Sequence, residues 1–507
     1  MGDAEGVRGD TRGDDGQGGK GLIRPYHSGQ RLPTVVRTSG ETEVEELTAE
    51  AIDHLCENAG TVQNRVSSIP LSKRLEVIGS IGMVWKRKLE EGKVVNIRDK
   101  MVSRTGYSKA LVDLEMQFVL SVLDPESIRR NLEASLPGGS ASLDGFKLMA
   151  DEEGYMSVPA GPVLIISSGN SIVPTLIPTV LSLVTGNLTF LKPSISNYEG
   201  VLEVLRCIEE VPPSEARDAI RDALVISYFS HDSRALDHAL SEAKMGVINF
   251  WGGEPARTTV ASKVVLNPNR PRFFANGPMT GVAIISASMA GPDTADGLAK
   301  NIVLYDQQLC SSPTSAVFIG DHGSAVAFSK LLSSRLDEIG SRHPMTLREG
   351  SMFVLQNARR MLQLKGAIVS GGRSEQNQWT VVVSKGRSML EDMVSQFPGM
   401  NIYGRRRFIE IVSMPSYDEA IEWIIGLPST KAYSGIDKVQ TVGLAVPRED
   451  VIKVSTMAAR AGVYRIIPIS DMFMRSALEP YDGISLASLF LQTSYRRGKD
   501  LWKGSID

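Results

Sequence analysis

Cysteine is scarce in this sequence, with 3 residues in 507. So few cysteines over this length argue against a disulfide framework and favour a reducing compartment. An excess of one charge is also missing, because 55 basic residues face 58 acidic ones, so we expect neither nucleic acid nor an anionic membrane as the main partner. The 6 histidines show no tight ligand spacing, and we therefore predict no metal site.

The first 30 residues contain few apolar side chains. They are rich in Gly, Asp and Arg, and they lack the apolar core of a signal peptide. Gly6 occupies the place where an N-myristoylation motif needs Ser or Thr. We predict a disordered segment over residues 1–30 and a cytoplasmic location.

A long run without charge extends from Gly161 to Leu191 and contains 31 residues. By length alone it could be a membrane span. Its internal order favours another interpretation, because Pro174 and Pro178 interrupt a continuous helix. We therefore expect no membrane span here.

The same run divides into short segments of different character. Val163 to Ile166 is a β-branched run, Ser167 to Asn170 has turn composition, and Leu188 to Leu191 is a second apolar run after Gly186-Asn187. Strands that are buried on both faces are continuously apolar. The pattern predicts strand, turn, buried helix, turn and strand, which is one βαβ unit of a parallel sheet.

Cys310 is the candidate nucleophile. It lies among small polar residues, between a helical pattern at Leu298 to Leu304 and an apolar strand at Ala316 to Ile319. A thiol at such a junction can have a lowered pKa and can be reached by substrate. A single cysteine is more often a small buried hydrophobe, and we predict that role for Cys56 and Cys207.

Several short motifs, in a fixed order, resemble those of the aldehyde dehydrogenase superfamily. They are Pro159–Pro162, Asn170, Gly186-Asn187 with Leu191–Ser194, Phe250–Gly253, Gln308 with Cys310, Gly366–Gly372, and Asn401–Gly404. The resemblance implies an α/β fold with two Rossmann-like lobes and an oligomerisation tail. It implies a cofactor-binding lobe with N-terminal helices at 31–275, a catalytic lobe at 276–470 and a tail at 471–507. That tail would pack against a neighbouring subunit of a homo-oligomer, either a dimer or a tetramer.

One departure from the superfamily bears on the reaction. Ordinary members carry a glutamate that activates water in the segment corresponding to Arg272–Gly277, and here that segment has no carboxylate. An acyl-enzyme that is not hydrolysed must be formed from, or passed to, another acyl donor or acceptor. Asp306–Pro313 and Glu479–Gly483 resemble most closely the LuxC-type long-chain fatty acyl-CoA reductases of bacterial bioluminescence operons.

The narrower resemblance implies NADPH-dependent reduction of a fatty acyl thioester to the aldehyde. The donor would be an acyl-CoA or an acyl-protein, and an acyl-transferring partner protein is compatible with this role. One alternative is an ordinary NAD(P)-dependent aldehyde dehydrogenase whose general base comes from an unmatched position. Another is a catalytically silent scaffold that has kept the fold.

The resemblance also assigns roles to catalytic residues. Cys310 would attack the thioester carbonyl, and the side-chain amide of Asn170 would hold the oxyanion together with the Cys310 backbone N–H. Asn170 could instead cap the following helix, which is the commonest role of Asn at a strand-to-helix turn.

The cofactor residues that the resemblance implies are Lys192, Ser194, Gly252, Gly253 and Asn401. Ile195 stands where the superfamily often has a glutamate for the adenine ribose, and the loss of that carboxylate admits NADPH. Asn401 replaces a glutamate that grips the nicotinamide ribose, and an amide binds a hydroxyl more weakly. Lys192 would face the ribose or its phosphate, the alternative being a lysine in solvent at a sheet edge.

Three further predictions concern organisation. Residues 41–135 have helical patterns, most regularly from Leu71 to Leu89. The run Arg405–Arg407 is expected on a solvated strand end, with a contact to CoA or carrier phosphates as the alternative. The segment after Ser470 carries too many apolar residues for a disordered end.

Overall fold

The computed structural model describes residues 22–28, 32–39, 42–150, 153–345, 347 and 349–498. Residues 1–21, 29 and 30 of the predicted disordered segment lie outside this set. Residues 22–28 contradict the prediction, because Ile23 is buried and forms a bridge with Val44. Tyr26 forms a second bridge with Ile226, and its hydroxyl donates to Glu209. These two side chains supply the apolar surface that a disordered segment lacks.

The N-terminal part combines a hairpin with helices. The hairpin strands are β1 (Thr34–Ser39) and β2 (Thr42–Leu47). Five helices follow, and they are α1 (Ala49–Ser67), α2 (Leu71–Glu90), α3 (Val95–Thr105), α4 (Lys109–Val122) and α5 (Pro125–Ser135). The antiparallel strands β3 (Lys147–Ala150) and β4 (Glu153–Pro159) come next. The helical prediction for 41–135 is confirmed except over β2, and the regular pattern from Leu71 corresponds to α2.

A five-stranded parallel sheet forms the first lobe. Its strands are β5 (Val163–Ile166), β6 (Thr189–Lys192), β7 (Leu224–Ile226), β8 (Val247–Trp251) and β9 (Arg272–Asn276). The helices of this lobe are α6 (Val173–Val184), α7 (Tyr198–Arg206), α8 (Glu215–Asp222), α9 (Arg234–Ser241) and α10 (Ala256–Leu266). The predicted βαβ unit is confirmed as β5, α6 and β6.

Helix α6 runs through Pro178 without a break, so the predicted interruption is wrong. The proline costs α6 one hydrogen bond, because the N–H that Pro178 lacks would have bonded to the carbonyl of Pro174 in the first turn. Helix α6 is buried along most of its length, so its packing can compensate for this loss. Within the described residues, no helix is both long enough and apolar enough to cross a membrane.

The strand order β7-β6-β5-β8-β9 places a topological switch between β5 and β8. The chain moves from β5 outward to β7 on one side, and then returns to β8 and continues to β9 on the other. Ligands of open parallel sheets bind in the crevice that such a switch opens at the carboxyl ends of the strands. Asn170 follows β5, and Gly252 and Gly253 follow β8, so the switch brings these motifs together.

The second lobe contains a seven-stranded sheet in the order β12-β13-β14-β11-β10-β15-β16. The strands are β10 (Met279–Ser286), β11 (Pro313–Ile319), β12 (Ile368–Gly371), β13 (Thr380–Lys385), β14 (Phe408–Met414), β15 (Lys438–Ala445) and β16 (Arg465–Pro468). Only the pair β12 and β13 is antiparallel. The helices are α11 (Pro292–Val303), α12 (His322–Arg342), α13 (Glu349–Leu364), α14 (Leu390–Gln396), α15 (Tyr417–Gly426) and α16 (Arg448–Arg460).

The tail returns to the first lobe. It contains α17 (Leu486–Leu489) and β17 (Leu491–Arg496), and β17 pairs with β4 in a three-stranded sheet with β3. Met472, Phe490 and Leu491 are buried within the chain itself. The apolar side chains that predicted an ordered tail therefore find their partners largely within the same chain, and a subunit contact stays a prediction.

Candidate active site

Cys310 follows a strained loop between α11 and β11. Tyr305, Asp306 and Gln307 have φ angles of 55°, 48° and 66°, a region that non-glycine residues seldom adopt. Gln307 fixes the loop, because its amide nitrogen donates to the carbonyls of Pro313 (2.7 Å) and Phe408 (2.9 Å). Surrounding contacts thus hold the backbone that presents the thiol.

A buried ion pair supports the same loop and corrects a prediction. Arg407 Nη2 lies 2.6 Å from Asp306 Oδ1, and Arg407 is 1% exposed. Arg405 is also buried, with its guanidinium 5.1 Å from the centre of the Tyr433 ring. The predicted solvated strand end is therefore wrong for these two arginines. They precede β14, a strand with neighbours on both sides, and so they enter the interior rather than solvent.

The Cys310 thiol is half-buried, whereas Cys56 and Cys207 are buried as predicted. Burial of the sulfur, together with the negative charge of Asp482, raises the pKa of the Cys310 thiol to about 11. Arg475 and a backbone N–H from Met279 act in the opposite direction. The expected lowering of this pKa is thus wrong, and at neutral pH the thiol carries its proton.

Asn170 reaches across to the nucleophile loop. Its Nδ2 donates to the Gln308 carbonyl (3.2 Å), and its Oδ1 accepts from Ser168 Oγ (2.8 Å). The hydroxyl of Tyr107 donates to the backbone carbonyl of Asn170 (3.1 Å). The alternative role as a helix cap is wrong, because the cap position of α6 is Ile172. The amide of Asn170 is therefore fixed beside the residues that lead to Cys310.

Glu115 on α4 caps α6 instead. It is 1% exposed, and its Oε1 accepts from the backbone N–H of Ile172 (2.5 Å). Burial raises the pKa of this carboxyl to about 7. The sequence interpretation missed Glu115, although a carboxylate among the buried Leu111, Val112 and Met116 of the same helix was the available signal.

A cavity of about 530 Å³ contains the thiol. Cys310, Asn170, Gly252 and Gly253 all line it, so the fold brings these four predicted site residues together. Apolar side chains of α4, α5, α6 and the tail form a large part of the remaining wall, among them Phe118, Val122, Ile128, Val173, Ile177, Val180, Leu181, Phe473 and Leu486. The cavity thus combines polar groups at Cys310 with a largely apolar wall between helices.

Lys192 and Ser194 lie outside this cavity lining, at the carboxyl end of β6. The ammonium of Lys192 is 5.1 Å from the centre of the Tyr228 ring, and burial lowers its pKa to about 8, against the influence of Glu46. A fully solvated lysine is therefore excluded. Glu46 was missed from the sequence, and its carboxylate accepts from the Ser230 N–H (2.6 Å). Arg37 Nε lies 3.5 Å from the same carboxylate.

A narrow turn after β5 lies beside Ser194. A Cβ on Gly169 would stand 2.7 Å from Ser194 Oγ and 2.8 Å from Ser196 Oγ, so any larger residue would displace these hydroxyls. A Cβ on Gly252 would stand 2.8 Å from the Phe250 ring. The two turns at the switch point are therefore shaped by glycine.

Asn401 is also outside the cavity lining. Its Oδ1 accepts from the backbone N–H groups of Tyr403 and Gly404, both at 3.1 Å. The oxygen is engaged by its own turn, so the amide nitrogen is the group that could meet a ribose hydroxyl.

Comparisons with known proteins identify relatives of this chain. A protein named long-chain acyl-protein thioester reductase from Aliivibrio fischeri is 23% identical over 413 residues, which are 80% of this chain and 78% of that protein. A protein of the same name from Photobacterium phosphoreum is 22% identical over 51% of this chain and 52% of its own length.

Solved structures show the fold. Aldehyde dehydrogenase 21 from Physcomitrella patens has a TM-score of 0.68 at 13% identity, covering 96% of this chain and 99% of the other. An NAD-dependent benzaldehyde dehydrogenase from Corynebacterium glutamicum has a TM-score of 0.62 at 15% identity, covering 93% and 95%. The family model described as acyl-CoA reductase (LuxC) matches residues 66–491. Because this match spans most of the sequence, the chain belongs to the LuxC family of acyl-CoA reductases, with the aldehyde dehydrogenase fold.

Proposed function

We propose that this protein reduces a long-chain acyl thioester to the aldehyde through an acyl-enzyme on Cys310. The observation that carries the proposal is a half-buried thiol at the polar end of a mostly apolar cavity. Apolar cavities with a few placed polar groups are typical small-molecule sites. A fatty acyl chain has the matching form, with one reactive carbonyl and a long apolar body.

In the acyl-transfer step, Cys310 Sγ bonds to the thioester carbonyl carbon and the donor thiol departs. The proton of Cys310 ends on the departing sulfur. Asn170 Nδ2 lies next to the nucleophile loop, where it can donate to the developing oxyanion together with the Cys310 backbone N–H. Removal of one such donor typically slows a reaction by about 100- to 1000-fold.

The acyl chain would extend away from the sulfur between α4, α5 and α6. Phe118, Ile177 and Leu181 line this part of the cavity, and the tail closes it with Phe473 and Leu486. Each methylene buried there contributes about 0.8 kcal/mol. We therefore infer a preference for long chains, in line with the names of the curated relatives, which are called long-chain acyl-protein thioester reductases.

The switch-point crevice suits a nicotinamide cofactor. Gly169 and Gly252 allow the turns after β5 and β8 to pack closely against Ser194 and Phe250, and Ser194 adds a hydroxyl at the neighbouring strand end. Gly253 lines the thiol cavity as well, which connects the crevice with Cys310. A reduced nicotinamide bound there would supply the hydride that brings the acyl group to the oxidation level of the aldehyde. Asn401 would meet the nicotinamide ribose through its amide nitrogen.

We infer NADPH as the preferred cofactor. Ile195 presents no carboxylate against a 2′-phosphate. Lys192 and Arg37 place two cations near one carboxylate, Glu46, at the carboxyl end of β6. The excess of positive charge favours a phosphate over a bare hydroxyl.

A second candidate function rests on Asp482. Its carboxylate accepts a hydrogen bond from Asn276, which lies in the segment Arg272–Gly277 that has no carboxylate of its own. Asp482 could therefore activate water, as the glutamate of ordinary aldehyde dehydrogenases does. Product analysis separates the two functions. Reduction yields aldehyde from an acyl thioester and NADPH, whereas the alternative yields rapid multiple-turnover acid from aldehyde and NADP⁺ without CoA. A silent scaffold would yield neither.

The acyl-enzyme is tested by mass spectrometry. After mixing with a long-chain acyl-CoA in the absence of NADPH, one acyl adduct should appear on the peptide that contains Cys310. It should be absent in Cys310→Ala and present in Cys207→Ala, a matched variant that removes a buried thiol. An adduct on Cys56 or Cys207 would contradict the assignment. An acyl-protein donor should be compared with acyl-CoA in the same assay.

A further inference from the structure

Asp482 lies in the tail, yet it reaches the segment that follows β9. It is 7% exposed and adopts a φ of 50°. Its Oδ2 accepts from Asn276 Nδ2 (2.9 Å) and from the Gly277 N–H (3.2 Å), and its Oδ1 accepts from Gln440 Nε2 (2.5 Å). Three N–H donors from two separate parts of the chain therefore hold one buried carboxylate in place.

Gly277 neighbours both this carboxylate and the reactive sulfur. A Cβ on Gly277 would lie 3.7 Å from Cys310 Sγ, and the Gly277 N–H is itself bound to Asp482. Asp482 and Cys310 line the same cavity, and the charge of Asp482 affects the titration of the thiol. Arg475 on the same wall is the opposing cation, and it is engaged by Gln440 and Glu479.

The first chemical step requires a proton acceptor for the Cys310 thiol, and Asp482 can act as one. The raised pKa favours the protonated thiol at neutral pH, whereas the attacking species is the thiolate. A base near the sulfur is therefore required when the thioester binds. The Asp482 carboxylate accepts two N–H bonds at Oδ2 and one at Oδ1, and it still has lone-pair capacity because a carboxylate offers about four acceptor sites.

We propose that Asp482 accepts the proton of the Cys310 thiol during attack on the thioester and returns it to the departing sulfur. The Sγ–carbon bond forms, the donor's carbon–sulfur bond breaks, and the proton passes from Cys310 through Asp482 to the donor thiol. No electrons are exchanged in this step. The inference rests on the proposed acyl-enzyme and adds the residue that moves its proton.

The test compares two reactions of Cys310 in the full chain. Alkylation by iodoacetamide reports the thiolate that forms without substrate, and acylation by a long-chain acyl-CoA without NADPH reports attack on the thioester. Asp482→Asn removes the negative charge, so the midpoint of the alkylation pH profile should fall and alkylation at pH 7 should become faster. Acylation at pH 7 should instead become slower by about 100-fold, the contribution typical of a general base. Asp482→Glu should recover part of the acylation rate.

This opposite response separates proton transfer from simpler roles. A purely electrostatic role predicts that Asp482→Asn accelerates both reactions, and a purely structural role predicts that it slows both. Either result would overturn the proposal. Asp471→Asn, which removes a carboxylate from the same tail outside the cavity lining, should leave both profiles unchanged.

One further measurement uses the wild-type protein. Wild-type acylation should be slower in D₂O, a readout of proton transfer that needs no variant, and Asp482→Glu keeps the role of Asp482 testable if Asp482→Asn does not fold. An acylation rate that is the same in H₂O and D₂O would contradict proton transfer during the attack. If the wild type forms no adduct on Cys310 at all, the proposed function fails and this inference fails with it. If the wild type acylates and Asp482→Asn acylates equally fast, only the role of Asp482 is lost.

Discussion

At the scale of single residues, the surroundings of Cys310 decide its reactivity more than its local sequence does. The small polar neighbours suggested an activated thiol, whereas burial and Asp482 raise its pKa to about 11. A protonated resting thiol is less open to adventitious oxidation and alkylation. The raised pKa is consistent with the proposal that Cys310 becomes a nucleophile only when substrate binds.

The first prediction at this scale concerns Ile195, whose side chain is partly buried against the core of the first lobe. Two unit charges of like sign 4 Å apart repel by about 4 kcal/mol at an effective dielectric of 20. Ile195→Glu should therefore reduce kcat/KM for NADPH by on the order of tenfold or more while sparing NADH. Steady-state kinetics with both cofactors measures the ratio.

The control is Ile195→Gln, which adds similar bulk without charge and should change the ratio much less. An NADPH to NADH ratio that stays constant in Ile195→Glu would show that this side chain does not face the 2′-phosphate.

At the scale of elements, the start of α6 is built around a buried acid. Helix N-termini favour negative charge and need acceptors for their first N–H groups. Glu115 supplies an acceptor from another helix, and the Tyr107 hydroxyl fixes the carbonyl of Asn170 just before α6 begins. The position of the proposed oxyanion group therefore depends on α4 as well as on β5.

Glu115 gives a pH prediction. Its pKa is raised to about 7 in the folded protein from 4.5, so between these values the folded chain keeps a proton that the unfolded chain has lost. Stability then falls as pH rises from about 4.5 to 7, by up to about 3 kcal/mol for this group. Glu115→Gln removes the titration and keeps an acceptor for the Ile172 N–H.

We expect the urea midpoint of Glu115→Gln, relative to wild type, to increase from pH 5 to pH 8. Glu57→Gln on the exposed face of α1 should show no such trend. Midpoint curves that remain parallel for wild type and Glu115→Gln would contradict a protonated Glu115 in the folded state.

At the scale of the whole molecule, the candidate active site is assembled from distant parts of the chain. The first lobe contributes Asn170, the second contributes Cys310, and the tail contributes Asp482 to one cavity. The tail also returns to the first lobe through β17, which pairs with β4. Its removal should therefore affect both stability and chemistry.

Truncation after Ser470 tests this. It removes four side chains from the buried interior, Met472, Leu486, Phe490 and Leu491, and burial of four such side chains contributes roughly 6 to 12 kcal/mol before entropy. We expect aggregated or unfolded, inactive protein, measured by light scattering and near-ultraviolet circular dichroism. Truncation after Gly498 leaves β17 intact and should preserve fold and activity.

Light scattering of the full chain also tests the predicted dimer or tetramer. A soluble, active chain ending at Ser470, with unchanged oligomeric mass, would contradict both the structural role of the tail and its proposed subunit contact.

The sequence by itself determined the elements whose signal is local. Val163–Ile166 could be assigned as a buried strand because every residue in it is apolar, and Leu71–Glu90 as a helix because its apolar spacing repeats within a few residues. The order of short motifs was sufficient to recognise the fold and to select Cys310 and Asn170, which the structure brings to one cavity.

Only the tertiary structure decided the chemistry of the site. From the sequence, Arg407 was expected in solvent, but in the structure it pairs with Asp306 in the interior. The segment that contains Asn276 has no carboxylate of its own, and the tail supplies one, Asp482. Burial and electrostatic contacts depend on residues that are distant along the chain, so no local pattern carries them. For this reason the choice of Cys310 as candidate nucleophile was possible from the sequence, whereas the raised pKa of its thiol and its proposed proton acceptor were not predictable.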